Sequence, residues 1–310
     1  MHIKEAVDHF LKYLHVELNR SAFTCKGYRA DLNIFTGFLD SKGLAHGELE
    51  TLTPDLLSQY LRHLTRDRGN QANTLRRRVT ALKSFCRFLV DSDYLKRSPA
   101  ESLPHPKKPQ KHPRHLQRED IDKLFAAAGK NESAAGLRDK TALLFFYYTG
   151  VRVTELVNIR KADLDLEKDV VKIHKGKGSR FRQVPLHSRL KKQLQKYLID
   201  LPEILEPADG YLFCNKQGGQ ISADYVHHMI VDYAAKAGIK QKVTPHMLRH
   251  SFATHLYRED VDINTLGKLL GHAGIRTTSI YTHTDLKHLR EGVERLNTPV
   301  KLEAILFHKS

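Results

Sequence analysis

The sequence predicts a mainly α-helical protein with one small antiparallel β-sheet, divided into two folded units. Three observations predict this. Apolar residues recur at helical spacing through most of the 310 residues. Between 168 and 186 that rhythm changes, with Val170, Val171 and Ile173 in one β-rich run and 181–186 in a second, about the turn His174-Lys175-Gly176-Lys177-Gly178-Ser179. Residues 96–116, KRSPAESLPHPKKPQKHPRHL, carry Pro99, Pro104, Pro106, Pro109 and Pro113, which deny the backbone helix hydrogen bonds and favour an extended path. The domain boundaries follow: a helical unit at 1–95, a basic Pro-rich linker at 96–116, and a second unit at 117–310.

In the first unit Tyr28, Leu32, Phe35 and Leu39 make one apolar stripe, ended by Gly43 and Gly47. Thr53-Pro54 opens another helix, with Thr as N-cap and Pro at the first helical position. A helix over 73–91 faces Leu75, Val79, Leu82, Phe85 and Leu89 inward. On another face it carries Arg76, Thr80, Lys83 and Arg87, a basic stripe that suits either a phosphate-contacting surface or a solvated one. In the second unit helices are expected near 119–128, 136–149, 152–160, 188–199, 223–237, 245–258, 262–270 and 285–296, with a third short strand at 211–213. Tyr147 and Tyr148, in an apolar run, are expected in the core.

Charge narrows the class of partner. Lys plus Arg number 51 against 35 Asp plus Glu, a formal net charge of +16, which points to a polyanion: nucleic acid or an anionic membrane surface. The longest strongly apolar run, 141–149, is far short of the ~20 residues that span a bilayer. The N-terminus has charges throughout and is not a secretory signal. Cys25, Cys86 and Cys214 are odd in number and scattered, neither a disulfide framework nor a zinc site, so a reduced, cytoplasmic protein is expected.

The residues able to carry chemistry gather in the second unit. Arg152 follows a Gly turn at a helix start in TGVRVTEL, and Lys177 sits in the Gly-flanked turn. His246, Arg249 and His250 stand at i, i+3 and i+4 behind Thr244-Pro245, so they share one helix face. His272 closes a helix, and Tyr281 lies nine residues later. A zinc site on His246 and His250 is disfavoured, because Met247 stands where a metalloprotease pattern needs Glu and Arg249 would repel a cation. No carboxylate cluster is available to hold Mg²⁺. Arginines bind phosphate through forked, charge-assisted bonds, and a tyrosine can act as a covalent nucleophile. The set therefore suggests phosphoryl transfer by protein cations, with neither metal nor other cofactor.

The motifs TGVRVTEL, GKGSRFRQVPL, TPHMLRHSFATHL and LGHAGIRTTSIYTH, in this order, resemble the tyrosine recombinase (phage integrase) family, and most of all its Xer-type site-specific recombinases. The resemblance covers nearly the whole chain. It implies an N-terminal helical core-binding domain that grips DNA, with Arg76, Thr80, Lys83 and Arg87 as the candidate DNA-facing residues, and a C-terminal α+β catalytic domain. It implies that Arg152 and Arg249 clamp the scissile phosphate, Lys177 protonates the departing 5′ oxygen, His246 assists proton transfer, His272 hydrogen-bonds the phosphate and Tyr281 forms a 3′-phosphotyrosyl bond. Glu155 and His250 are given supporting roles.

The implied partner is double-stranded DNA with a short specific site, bound by a homo- or hetero-oligomeric tetramer on two duplexes, without a membrane. The chain begins almost directly with the core-binding domain, which favours a simple recombinase. The expected role is resolution of chromosome or plasmid dimers, tied to chromosome partition and cell division, or integration and excision of a mobile element. The apolar tail residues Val300, Leu302, Ile305, Leu306 and Phe307 need a surface to dock on, either their own domain or a neighbour; the resemblance implies that the segment 299–310 docks on a neighbouring subunit. Two alternatives compete: a type IB topoisomerase, which uses a similar residue set but lacks this layout, and a DNA-binding factor without catalysis.

Overall fold

The computed structural model describes residues 1–44, 46–104, 115–174, 181–204, 210–271 and 283–297. Lys177, His272, Tyr281, residues 105–114 of the linker and the segment 299–310 lie outside the described residues. The chain forms two compact units, Met1–Lys111 and His112–Ser310.

The first unit is built from α1 (Ile3–Val16), α2 (Ala22–Ser41), α3 (Pro54–Arg66) and α4 (Ala72–Asp91). Local chemistry sets the starts. The Ser21 hydroxyl accepts from the Thr24 N–H at the head of α2, and Thr53 accepts from Leu56 at 3.2 Å with Pro54 behind it. The helices bury one continuous core, in which Phe10 meets Phe85 at 5.7 Å and Phe35 meets Tyr60 at 4.9 Å between ring centroids. Leu32, Phe35 and Leu39 of the α2 stripe are buried, as are Val79, Leu82, Phe85 and Leu89 of α4; Tyr28 and Leu75 pack at the core's edge.

The second unit centres on α6 (Ala134–Thr149), buried on every side from Thr141 to Thr149 because α5 (Arg118–Gly129), α8 (Ser188–Ile204) and α10 (Pro245–Arg258) pack around it. Tyr147 and Tyr148 are core residues, with polar tips and ring faces engaged: the Tyr147 hydroxyl lies 2.8 Å from His255 Nδ1, and Tyr148 stacks on His187 at 4.1 Å. Around this sit α7 (Val153–Val157), α9 (Ala223–Lys236), α11 (Ile263–Leu270) and α12 (His283–Glu294). The sheet is antiparallel in the order β1 (Leu164–Asp165), β2 (Val170–His174), β3 (Phe181–Pro185), with Val171 opposite Val184 and His174 opposite Phe181.

Two sequence expectations need correction. The helix expected over 152–160 ends at Val157, because the Asn158 side chain donates to the Thr154 carbonyl at 2.6 Å and the backbone leaves the helix at Ile159. The third strand is 164–165 rather than 211–213. Tyr211 makes only an isolated bridge to Arg160, while Leu164 pairs with Val171.

Candidate active site and nucleic-acid interface

Three chain segments converge on a short stretch of backbone after α6. Gly150 caps α6 in the left-handed conformation, with φ of 58°, and a Cβ there would lie 2.3 Å from a Phe252 ring carbon. Only glycine permits both the turn and that approach. The turn points the Gly150 carbonyl at Arg249 and sets Arg152 at the head of α7.

Arg249 is 9% exposed, one turn into α10 from the Thr244 cap, which accepts from Met247 at 3.2 Å. Its guanidinium donates to the Gly150 carbonyl and, at 2.7 Å, to the Leu270 carbonyl. Burial first, then the nearby charge of Arg152, outweighs the pull of Glu155 and draws its pKa down to about 10, so it remains a cation at neutral pH. Arg152 is outward: its side chain is 40% exposed, and it donates to Glu155 Oε1 at 2.9 Å through Nη1. The Arg152 N–H donates to the other Glu155 oxygen at 2.8 Å, closing the start of α7.

Glu155 is the hinge of the cluster. Burial alone would raise its pKa, yet hydrogen bonds and charge from Arg182, then from Arg152, hold it at about 2. Arg182, on β3, is 3% exposed and was not singled out by sequence reasoning. Its Nη1 and Nη2 each meet a Glu155 oxygen at 2.9 Å, and its Nε donates to the Leu269 carbonyl at 2.6 Å. Arg182 and Arg249 thus take consecutive carbonyls at the end of α11, groups a helix C-terminus leaves without intrahelical partners. Gly271, φ 65°, finishes that helix immediately before His272.

His246 is exposed at the second position of α10, on the same helix as Arg249. His250 is half-buried and packs edge-on to His115 at 6.2 Å. The structure therefore brings together Arg152, Glu155 and Arg249, with His246 and His250 on the helix that carries Arg249. Among the described residues no group of three or more His, Cys, Asp or Glu is placed to hold a metal ion.

In the first unit a groove of about 610 Å³ runs between α2 and α4. Arg76 and Thr80 line it, with Thr24, Tyr28, Asn73 and Arg77. Lys83 and Arg87 lie further along α4: Lys83 Nζ reaches the Glu101 carbonyl at 3.5 Å, and Arg87 pairs with Asp91 at 3.6 Å. The groove has an acidic floor. Asp31 is buried beneath it, 2.6 Å from Arg77 and 3.7 Å from Arg78; burial raises its pKa against the pull of those two arginines. Asp31 carried a sequence signal, since it falls within the Tyr28–Leu39 apolar stripe, where a carboxylate needs a partner.

Known proteins are similar to this chain over most of its length. Residues 114–288 match the model of the phage integrase family, and residues 7–93 match its N-terminal SAM-like domain. The tyrosine recombinase XerC of Oceanobacillus iheyensis is 35% identical over 292 residues, 92% of this chain and 93% of that protein. XerD of Listeria monocytogenes is 33% identical over 293 residues, covering 93% and 97%. Among solved structures, XerH recombinase bound to a palindromic difH substrate in a post-cleavage complex superimposes with a TM-score of 0.71 at 25% identity, covering 92% of this chain and 82% of that one. With both units matched in order, and relatives aligned over more than nine-tenths of its length, the chain belongs to the phage integrase family, as a tyrosine recombinase of the Xer type.

Proposed function

We propose that this recombinase exchanges DNA strands at a short specific site, in the manner of the Xer proteins it resembles, with resolution of chromosome or plasmid dimers as its role. Tyr281 attacks the scissile phosphorus, its hydroxyl proton leaving with help from His246. The P–O bond to the 5′ oxygen breaks, and Lys177 supplies the proton that oxygen takes up. A 3′-phosphotyrosyl bond remains, which the 5′ hydroxyl of a second strand attacks in reverse. One phosphodiester is exchanged for another through a covalent bond, so no external energy source is needed. Arg152 and Arg249 bind the phosphate and stabilise its added charge, with His272 as a further donor and Glu155 and His250 in support. Arg76, Thr80, Lys83 and Arg87 are assigned to DNA in the first unit.

The observation that carries this reading is the pairing of a buried, fixed Arg249 with an outward Arg152 across the Gly150 turn. Two guanidiniums are preorganised there, Arg249 by the Gly150 and Leu270 carbonyls and Arg152 by Glu155. The assembly is proposed as a tetramer on two duplexes. That form is supported by a lambda integrase of the same fold, solved as a tetramer bound to a Holliday junction.

The test is covalent capture. Full-length protein is mixed with genomic fragments carrying random nicks and denatured in detergent, and the attached DNA is sequenced. Nicks trap the adduct because the short departing fragment diffuses away. An adduct at one sequence, absent with Tyr281→Phe while DNA binding persists, is the expected result. Adducts scattered over many sequences would favour a topoisomerase. Identical behaviour of wild type and Tyr281→Phe would leave only a DNA-binding factor.

A further inference from the structure

We propose that Arg182 is a positioning residue of the phosphate clamp, which occupies Glu155 so that this carboxylate orients Arg152 without neutralising it. The inference rests on the proposed function, because it assigns Arg152 to the scissile phosphate.

The geometry of Glu155 leads there. An ionised carboxylate offers about four acceptor sites, and four donors converge on this one. Arg152 Nη1 and Arg182 Nη1 share Oε1, both at 2.9 Å; the Arg152 N–H and Arg182 Nη2 share Oε2, at 2.8 and 2.9 Å. The two arginines divide their labour by exposure. Arg182 is 3% exposed, with its Nε held by the Leu269 carbonyl, so its fork cannot turn toward a ligand. Arg152 touches the carboxylate through one Nη and faces outward with the rest of its guanidinium. Were Arg182 absent, both Glu155 oxygens would be open to Arg152. The favoured geometry would then be a closed fork-on-fork pair that competes with phosphate for the same donors.

Charge count gives the same answer. Arg152, Arg182 and Arg249 set three cations against one carboxylate, an excess of two. A phosphodiester carries one negative charge, and its five-coordinate transition state carries two. Removing Arg182 would lower the positive excess of this cluster by one, at the place where negative charge develops in the transition state. Interactions that favour the transition state raise the rate of the chemical step and leave binding nearly unchanged.

The experiment uses full-length protein and a nicked duplex bearing the site recovered by covalent capture. Single-turnover cleavage is followed against DNA concentration, and melting temperatures confirm folding. Arg182→Gln should slow cleavage at saturating DNA about a hundredfold with half-saturation nearly unmoved. Adding Glu155→Gln to Arg182→Gln should recover about tenfold of that loss, because the competing carboxylate is gone. Arg182→Lys, which retains the charge, should stay closer to wild type than Arg182→Gln, and it carries the test if Arg182→Gln does not fold. A double variant no faster than the single one, or a lysine variant as slow as glutamine, would mean that Arg182 only holds β3 in place, and the inference fails. If wild type forms no Tyr281 adduct, the function reading falls and takes this inference with it. An adduct in wild type without rescue removes the inference alone.

Discussion

Arg249 shows how much one residue's setting can demand of its chemistry. Its guanidinium sits between two backbone carbonyls, close to two further arginines, and is drawn down to about 10 by burial and then by Arg152. Arginine survives this because its free pKa lies above 12. A lysine in the same place would start near ~10.4, and the same burial and neighbouring charge would lower it further still, toward neutrality. Arg249→Lys should therefore cleave measurably at pH 6.5 and lose activity at a lower pH than wild type as pH rises, since a group with lowered pKa holds its proton only below that value. Wild type should show no loss from this group until near pH 10. The check is a pH profile of single-turnover cleavage, with DNA binding measured in parallel. A flat profile for the lysine variant would mean that the site is wetter than its 9% exposure implies.

At the scale of elements, the two faces of α4 do different work. The inward face is set by Val79, Leu82, Phe85 and Leu89. Along the other, Arg76 opens on the groove with α2, whereas Arg87 is paired with Asp91. Under the proposed function each phosphate contact contributes about 0.9 to the dependence of log affinity on log salt. Arg76→Ala should flatten that slope by about one contact's worth, and Arg87→Ala by clearly less. Binding titrations on the captured site between low and moderate salt measure both, and equal slopes for wild type and Arg76→Ala would return the groove to solvent. Helices were legible beforehand from period or from caps: α4 by an apolar stripe at spacings of three and four, α3 and α10 by Thr-Pro or Thr-Pro-His at their starts. The hairpin strands were legible from their β-branched runs. β1 was not, because a two-residue pairing has no period to show. Arg182 was missed for a related reason. In RFRQVP the more apolar Phe181 looks inward-facing, but Val184 fixes the parity of the strand. Arg182 shares Val184's face and is buried, and Phe181 is 49% exposed. The inward arginine is tolerated because Glu155 and the Leu269 carbonyl are there to meet it, contacts that only the tertiary fold supplies.

At the scale of the molecule, the buried residues fall into two separate cores, one confined to 3–103 and the other to 116–296. Each unit has the size and the closed apolar centre of an independent domain. Produced separately, 1–104 and 112–310 should each unfold cooperatively, each reproducing one of two calorimetric transitions of the full chain. Function should divide less evenly. The two units are joined in one chain, so that once one grips a duplex the other meets it at high effective concentration. The separated second unit retains Arg152, Arg249 and Tyr281, and so should still form the Tyr281 adduct on nicked DNA, but only at about a hundredfold higher protein concentration. Adding the first unit in trans should not restore affinity, because the tether, and not merely the presence of both units, supplies that concentration. Restoration in trans would instead mean that the two units bind each other directly, and full affinity from the second unit alone would remove the α2–α4 groove from DNA recognition.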